Sequence, residues 1–485
     1  MEQEINRRAF LQLTAAGGAL CLMGLGCQAP IVLGEGERPF LISPGCRGTK
    51  VKVARLYMGK PDNPYWPKPN LDLKKELRFY ESEFAKLRGE LYDVDFVVDE
   101  LVTSPEEVEP LKSRLKDVDG ILVIHLTMKT GGILKEILKS QKPTTVFAVP
   151  YSGHQWTGFG RLRKQEIGAK MECMLTSDYK QLAVAIRPFR AIHHLREARI
   201  LNLTTRTSKR RTEYDEAIRN KFGTEIKKIE LKRVLNACNA VSDSEAKSEA
   251  DKWITGADKV GESSREEVFK SCKLALAFEK LLDEEDATVM TVDCYGSMFE
   301  PLCLSYAFPC LGFSRLNNLG LGGICESDLQ SAMTHIIFQG LTGRPGFVND
   351  PTMDESSESV ILAHCTAPTR MDGPDKPTAP YDIRSVMERQ TGVVLRAKMR
   401  IGQKVTTAKL INTDLLLHFT GNIIETPDID RGCRTKITVR VDGDAEKLWK
   451  NWSEGLHRVT CYGDITKELE HFCRFKEIKI VNEAV

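Results

Sequence analysis

Residues Leu319–Pro368 read LGLGGICESDLQSAMTHIIFQGLTGRPGFVNDPTMDESSESVILAHCTAP, and the rest of the chain is organised around this stretch. Its glycine-rich start leads to Glu326 at the beginning of a helix, whose apolar residues recur at helical spacing and predict one buried face. The helix ends at Gly343, a short apolar run ends at Asp350, and a predicted strand ends at His364. Two carboxylates and an imidazole are therefore expected at the ends of elements, where side chains converge on clefts.

These residue types indicate a metal site, although each also has a purely structural explanation. Glutamate, aspartate and histidine form a ligand set that a divalent cation such as Mn²⁺ accepts. Glu326 is equally suited to oppose the helix dipole in a first turn, and Asp350 before Pro351 is an ordinary turn residue. The pattern by itself leaves both interpretations open.

Short motifs in and beyond this stretch resemble the core of the L-fucose and L-arabinose isomerase family, whose members interconvert aldoses and ketoses with a divalent metal, usually Mn²⁺. The resemblance implies that Glu326, Asp350 and His457 are metal ligands, and that His364 binds either the metal or the substrate. It also implies a β-rich C-terminal domain packed on α/β units, and a symmetric homo-oligomer with sites near subunit boundaries. The motifs are CESD at 325–328, LTGRP at 341–345, ND-P at 349–351, AHCTAP at 363–368 and GLHRVTCYGD at 455–464.

The SRL stretch at 314–316 extends the same resemblance, because an equivalent stretch precedes the ligand glutamate in that family. Arg315 is accordingly a candidate for holding a substrate oxygen or orienting Glu326. A structural ion pair is the alternative for a single arginine.

The predicted function is a metal-dependent sugar isomerase that interconverts an aldose and a ketose through an enediolate. A cation that chelates both sugar oxygens stabilises the enediolate, while Glu326 and Asp350 act as base and acid on opposite faces. Two alternatives stay open. The first alternative is a non-catalytic exported sugar-binding protein, which has no need of two carboxylates aimed at one cation. The second alternative is a metal-assisted sugar epimerase on the same scaffold.

Composition excludes several other classes of protein. With 41% hydrophobic residues, 28% charged residues and a net charge of +2, the chain has no strong field that favours nucleic acid or a membrane surface. Its fourteen cysteines include no CxxC pair, so a zinc ribbon is not expected. Several lie in apolar runs, as small buried hydrophobes do, and so many free thiols fit folding in a reducing compartment.

The first residues resemble a twin-arginine export signal. Arg7 and Arg8 precede a weakly hydrophobic, glycine- and alanine-rich run that is too short for a convincing membrane span. This predicts a periplasmic or exported protein without a stable span in the mature chain; a chance arginine pair and a cytoplasmic location are the alternative. Gly24 makes a poor lipobox before Cys27, so lipid anchoring there stays open.

Between residues 51 and 294, strand and helix patterns alternate at the spacing of parallel sheets with helices on both faces. From about residue 355 the pattern changes to successive short strands. The predicted class is therefore α/β, with two doubly wound (Rossmann-like) units followed by a β-rich, barrel-like domain. The predicted parts are a signal segment at 1–30, a linker at 31–49, α/β domains at 50–165 and 166–354, and the β-rich domain at 355–485.

A glycine-rich segment at 151–160 interrupts this alternation directly after a strand. Ligands commonly bind at that place in open α/β sheets. His154 and Trp156 are therefore candidates for lining a sugar site, and a domain crossing is the equally weighted alternative.

Overall fold

The structure is a computed structural model that describes residues 41–62 and 66–485. The predicted export signal, Cys27 and the first part of the predicted linker lie outside these residues. Residues 43–46, from the last part of that linker, form a tight turn whose Gly45 amide donates to the Gly320 carbonyl at 2.7 Å.

The first sheet contains five parallel strands in the order β2-β1-β3-β4-β5. Its central strand β3 is buried along its whole length, as expected when helices cover both faces of a parallel sheet. The strands are Val51–Met58 (β1), Val94–Val102 (β2), Gly120–His125 (β3), Thr144–Ala148 (β4) and Met171–Leu175 (β5).

The second sheet contains four parallel strands in the order β10-β9-β6-β7. The strands are Arg199–Leu203 (β6), Glu225–Ile229 (β7), Val289–Val292 (β9) and Gly322–Cys325 (β10). Their carboxyl ends lead into the loops that carry Asp293 and Glu326, so this sheet positions one side of the candidate site.

The third sheet closes on itself as a six-stranded antiparallel barrel in the order β15-β18-β11-β12-β17-β16, because β16 also pairs with β15. β19 adds to β16 in parallel. The strands are Phe347–Asp354 (β11), Ser359–His364 (β12), Lys404–Ile411 (β15), Leu415–Glu425 (β16), Thr435–Val441 (β17), Arg458–Tyr462 (β18) and Lys479–Asn482 (β19).

A small fourth sheet links the α/β part of the chain to the β-rich part. It has the order β14-β13-β8, with β8 parallel to β13. The strands are Lys259–Val260 (β8), Tyr381–Val386 (β13) and Thr391–Ala397 (β14).

Helices surround these sheets. The α-helices of the described residues are Leu73–Lys86 (α1), Lys112–Leu115 (α2), Gly131–Leu138 (α3), Trp156–Arg163 (α4), Gln181–Val184 (α5), Arg187–Glu197 (α6), Lys209–Phe222 (α7), Leu231–Ala240 (α8), Asp243–Gly256 (α9), Arg265–Glu284 (α10), Cys310–Asn318 (α11), Leu329–Thr342 (α12), Ala445–Asn451 (α13) and Thr466–Phe475 (α14). Short 3₁₀ turns occupy Glu106–Leu111, Pro150–Ser152, Glu166–Gly168 and Glu355–Ser357, and a π-helical turn occupies Phe299–Leu304. Within the described residues, no helix is both long and apolar enough to span a membrane.

Helix α12 lies at the centre of the molecule. The sequence predicts one buried face, but the structure buries residues 331–341 on every side. The reason is that α12 packs between helix α6, strand β10 and the barrel strands β15 and β18. The buried polar side chains of α12 are hydrogen-bonded, as for Thr334 to the Gln330 carbonyl and Gln339 to the Leu321 carbonyl.

The structure confirms a mixed α/β fold with parallel-sheet units and a C-terminal barrel. Strand β11, which carries Asp350, belongs to the barrel, whereas the sequence pattern places this residue in the preceding α/β domain. The parallel sheet therefore carries Glu326, and the barrel carries the remaining residues of the candidate site.

Candidate metal centre

Glu326 lies in the turn between β10 and α12 rather than in the helix. Glu326 and Ser327 both have left-handed backbone conformations, with φ of 60° and 52°. Such conformations are costly for residues other than glycine and persist where the surroundings enforce them. Here the Ser327 amide donates to the Val292 carbonyl at 3.1 Å, and the Ser327 hydroxyl donates to Asn202 Oδ1 at 2.7 Å. These two hydrogen bonds hold the turn. Glu326 therefore precedes the helix and does not lie in its first turn, where a negative charge would stabilise the helix dipole.

Three barrel residues face Glu326 from adjacent strands. Asp350 lies in the middle of β11 and pairs with Ala363, the neighbour of His364 at the end of β12. His457 directly precedes β18, the strand on the other side of β11. Asp350 is therefore a strand residue rather than a turn residue, and its two flanking strands bring the imidazoles to it.

The side chains of these residues converge. His457 Nε2 lies 3.2 Å from Asp350 Oδ1 and 3.9 Å from Glu326 Oε2, and His364 Nε2 lies 4.0 Å from Glu326 Oε1. Ligand atoms of Asp350, His364 and His457 all lie within 4.8 Å of one another, and Cys325 Sγ forms a similar group with Glu326 and His364. Such spacing allows one cation to contact several of them.

Two of these ligand atoms, Asp350 Oδ1 and His457 Nε2, are buried and make no hydrogen bond among the described residues, although they lie 3.2 Å from each other. Buried polar atoms are nearly always paired, and an ion is one of the usual reasons for an exception. The donor set of carboxylate oxygens and imidazole nitrogens suits a divalent transition metal. The residues present therefore fit the cation that the resemblance implies.

Asp328 holds His457 in place. Its Oδ2 accepts from His457 Nδ1 at 3.0 Å and from Lys409 Nζ at 3.0 Å, while Oδ1 caps α12 by accepting from the backbone amides of Gln330 and Ser331. Burial would raise the pKa of Asp328, but the His457 and Lys409 contacts outweigh it and hold this pKa well below its usual range. A carboxylate on Nδ1 directs Nε2 towards a metal.

The sequence analysis did not single out Asp328 or Lys409 as functional residues. Asp328 stands in the CESD motif, but its helix-capping position already explains an aspartate there. Lys409 is a nearly fully buried lysine in strand β15, on the same face of the strand as Val405 and Ile411. A lysine at an inward position of such a strand is the signal that could have found it, because buried lysines require a partner.

The electrostatics of the site favour a cation. Burial raises the pKa of Glu326 and of Asp350, with His457 opposing this in both cases and nearby carboxylates adding to it. Burial lowers the pKa of His364 to about 3, so its imidazole is neutral at pH 7. Burial also works against protonation of His457, but Asp328, Asp350 and Glu326 raise its pKa overall. Positive charge is therefore stabilised among these carboxylates.

The two other predicted site residues have different surroundings. Arg315 is buried on α11, where its Nε donates to Glu249 Oε1 at 2.8 Å and its Nη1 pairs with Glu279. This is the ion pair that the sequence analysis held as the alternative. Trp156 begins α4 beside the first sheet and is 53% exposed. A role for either side chain towards substrate stays a prediction.

This chain is distantly similar in sequence to a known sugar isomerase. No family model matches this chain. The chain is 22% identical over 270 residues to the sulfoquinovose isomerase of Clostridium sp. (strain MSTE9). The match covers 53% of this chain and 57% of that protein, so it spans little more than half of each.

Proposed function

We propose that this protein is a metal-dependent sugar isomerase that interconverts an aldose and a ketose. The observation that carries the proposal is the convergence of four side chains with metal-ligating atoms, those of Glu326, Asp350, His364 and His457. Two of the ligand atoms, Asp350 Oδ1 and His457 Nε2, make no hydrogen bond within the described part of the chain. The similarity to a sulfoquinovose isomerase supports the same reaction class.

In this proposal, Asp350, His457 and Glu326 hold the cation, and the neutral His364 either joins them or binds a sugar hydroxyl. The bound cation, most plausibly Mn²⁺ from its oxygen and nitrogen donors, would supply Lewis-acid stabilisation of negative charge on two adjacent sugar oxygens. Asp328 contributes by keeping the Nδ1 proton of His457, which leaves Nε2 as the ligand atom.

The proton transfers of the reaction are assigned to the two carboxylates. Glu326 approaches from the carboxyl end of the parallel sheet and Asp350 from the barrel, so a sugar between them meets one carboxylate on each side. Burial raises the pKa of both carboxyl groups in the metal-free protein, and a bound cation would lower it again, so that both groups are ionised and able to accept a proton. One carboxylate removes the proton from one sugar carbon and returns a proton to the adjacent carbon. The other carboxylate moves a proton between the two oxygens.

The experiment that tests this function combines metal content with a turnover assay. Purified full-length protein is reconstituted with Mn²⁺ and incubated in D₂O with an aldose panel that includes L-fucose, L-arabinose and sulfoquinovose. We expect a ketose product and deuterium on the reacting carbon. Glu326→Gln should lower turnover by about 10³-fold or more, because it removes a proton-transferring group. Glu355→Gln, in an exposed turn after β11, is the matched control and should leave both readouts unchanged.

The alternatives predict different outcomes. A sugar-binding protein would bind an aldose without turnover, and its affinity would survive chelation and the double substitution of Glu326 by glutamine and Asp350 by asparagine. An epimerase would return a second aldose instead of a ketose. Wild-type protein that binds no divalent metal and converts no sugar would overturn the proposal.

We also propose that the protein is exported by the twin-arginine route and forms a homo-oligomer. The supporting observations are the Arg7-Arg8 pair with its weakly hydrophobic run and the resemblance to oligomeric isomerases. Cell fractionation of wild type beside Arg7→Lys/Arg8→Lys tests export, and sedimentation of the purified chain tests assembly.

A further inference from the structure

A second group of metal-ligating side chains lies outside the candidate site. It consists of Cys46, in the segment before β1, and of His193 and Glu197 on successive turns of α6. Cys46 and His193 are almost fully buried, and the side chain of Glu197 is 19% exposed. One ligand atom from each residue lies within 4.8 Å of the other two.

The spacing of these atoms matches a tetrahedral zinc site. Glu197 Oε2 lies 3.5 Å from Cys46 Sγ and 3.4 Å from His193 Nε2. Bonds of about 2.0–2.3 Å from zinc to sulfur, nitrogen and oxygen place the ligands of a tetrahedron about 3.3–3.8 Å apart. Both separations from Glu197 therefore already match those of a tetrahedral ion, and Cys46 and His193 lie within 4.8 Å of each other.

Two neighbouring residues hold the ligands in orientation. Asp119 Oδ2 lies 2.9 Å from His193 Nδ1, the arrangement by which a carboxylate directs the opposite nitrogen of an imidazole towards a metal. The Thr49 amide donates to Glu197 Oε2 at 2.8 Å, and the Thr49 hydroxyl donates to the other oxygen of this carboxylate. The Thr49 carbonyl accepts a hydrogen bond from His193 Nε2 at 2.8 Å, which is shorter than a ligand–ligand separation and is given up when Nε2 binds the ion.

We propose that Cys46, His193 and Glu197 bind a structural Zn²⁺ that fastens the segment around residues 43–49 to helix α6. The thiolate sulfur favours zinc over the harder cation expected at the candidate catalytic centre. On binding, Zn²⁺ replaces the thiol proton of Cys46 and the Nε2 proton of His193, and both protons leave to solvent. This site is independent of the proposed isomerase function.

Without the metal, the cluster holds a proton on His193 that the ion must displace. Burial lowers the pKa of His193, but Asp119, Cys46 and Glu197 outweigh it and raise the pKa to about 11. An imidazolium therefore supplies the positive charge that the buried carboxylates require when no metal is bound. A zinc ion supplies that charge instead and adds bonds to all three side chains.

The test uses the full-length chain, stripped of metal under reducing conditions and titrated with Co²⁺ and Zn²⁺. Tetrahedral Co²⁺ bound to a thiolate gives a charge-transfer absorption band. We expect this band in wild type, its loss in Cys46→Ser, and its retention in Cys173→Ser, a matched substitution in strand β5. Wild type should hold one more Zn²⁺ per chain than Cys46→Ser, and Zn²⁺ should raise the melting temperature of wild type and of Cys173→Ser by more than that of Cys46→Ser.

Further variants separate this site from the candidate catalytic centre, which contains Cys325. Asp350→Asn should retain the band, because it changes only the other centre. Asp119→Asn, which contacts His193 and not the ion, should weaken zinc binding about 10- to 100-fold. Glu197→Gln keeps the thiol and should also weaken binding, which preserves the test if Cys46→Ser does not fold.

Three results would overturn the proposal. They are the absence of a thiolate band in wild type, a band that persists in Cys46→Ser, and a band that is lost in Asp350→Asn. The last two would assign the thiolate to Cys325, and the first would leave the Cys46 cluster as an ion-paired imidazolium.

Discussion

Asp328→Asn separates helix capping from the support that this residue gives to the candidate metal centre. Asparagine is as good an N-cap as aspartate, so the hydrogen bonds to the start of α12 should survive. The negative charge between His457 and Lys409 is lost. Lys409 is only 3% exposed, and its ammonium lies 3.0 Å from the carboxylate. The substitution therefore leaves a buried cation without its counter-charge.

The expected magnitudes follow from these contacts. Breaking a buried ion pair by removing one partner costs about 3–5 kcal/mol, and we expect this range because the amide nitrogen that replaces Oδ2 cannot accept from Lys409 or His457. Metal affinity should fall about 10- to 100-fold, since the carboxylate that orients a ligand imidazole is lost. A second variant, Asp328→Asn/Lys409→Met, removes the stranded cation and should recover most of the stability but none of the metal affinity.

The assays are urea unfolding of metal-free protein and competition for Mn²⁺ with a chelator. The two variants with Lys409→Met alone complete a double-mutant cycle, which measures the coupling between the two residues. Stability within about 0.5 kcal/mol of wild type for Asp328→Asn would refute the buried-pair argument, since that is the usual range of surface substitutions. Unchanged Mn²⁺ affinity would refute the orienting role of Asp328 towards His457.

Three further predictions concern stability. Burial lowers the pKa of His335 from 6.5 to about 4. As pH falls below 6.5 the unfolded chain therefore binds a proton at this ring before the folded protein does, and the folded protein loses stability. In urea unfolding, the free energy of unfolding of wild type should fall by about 2 kcal/mol more than that of His335→Gln between pH 7 and pH 5. Glu483→Gln should cost about 3 kcal/mol in the same assay, because it strands the fully buried Arg458 guanidinium, which lies 2.7 Å from the Glu483 carboxylate; an unchanged unfolding midpoint would contradict this. Gly323→Ala should cost about 1–3 kcal/mol and lower the melting temperature, since the added Cβ would lie 2.4 Å from Phe313 Cα; a melting temperature equal to wild type would mean that α11 moves freely away from β10.

Much of the fold follows from local sequence patterns. Within the alternating region that begins at residue 51, the largely apolar segments at 120–126 and 145–149 coincide with β3 and β4, because such runs suit strands that are buried on both faces. The short strands after residue 355 are likewise visible as alternating patterns. Closure of the barrel is not visible in this way, since it depends on β15 pairing with both β16 and β18. The pairing with β16 is a local hairpin, but the pairing with β18 joins residues as distant as Val405 and Tyr462, and periodicity carries no information about it.

For the site, the sequence by itself determined the chemistry of the candidate residues. Glu326, Asp350 and His457 are titratable groups, and a motif resemblance selects them from the other acids and histidines of the chain. Only the tertiary structure decided that these residues meet, that Asp328 and Lys409 support them, and that Arg315 is committed to Glu249 and Glu279. The physical reason is that residue type and spacing set local conformation and chemistry, whereas burial and charge pairing arise from packing between segments that the sequence does not place side by side.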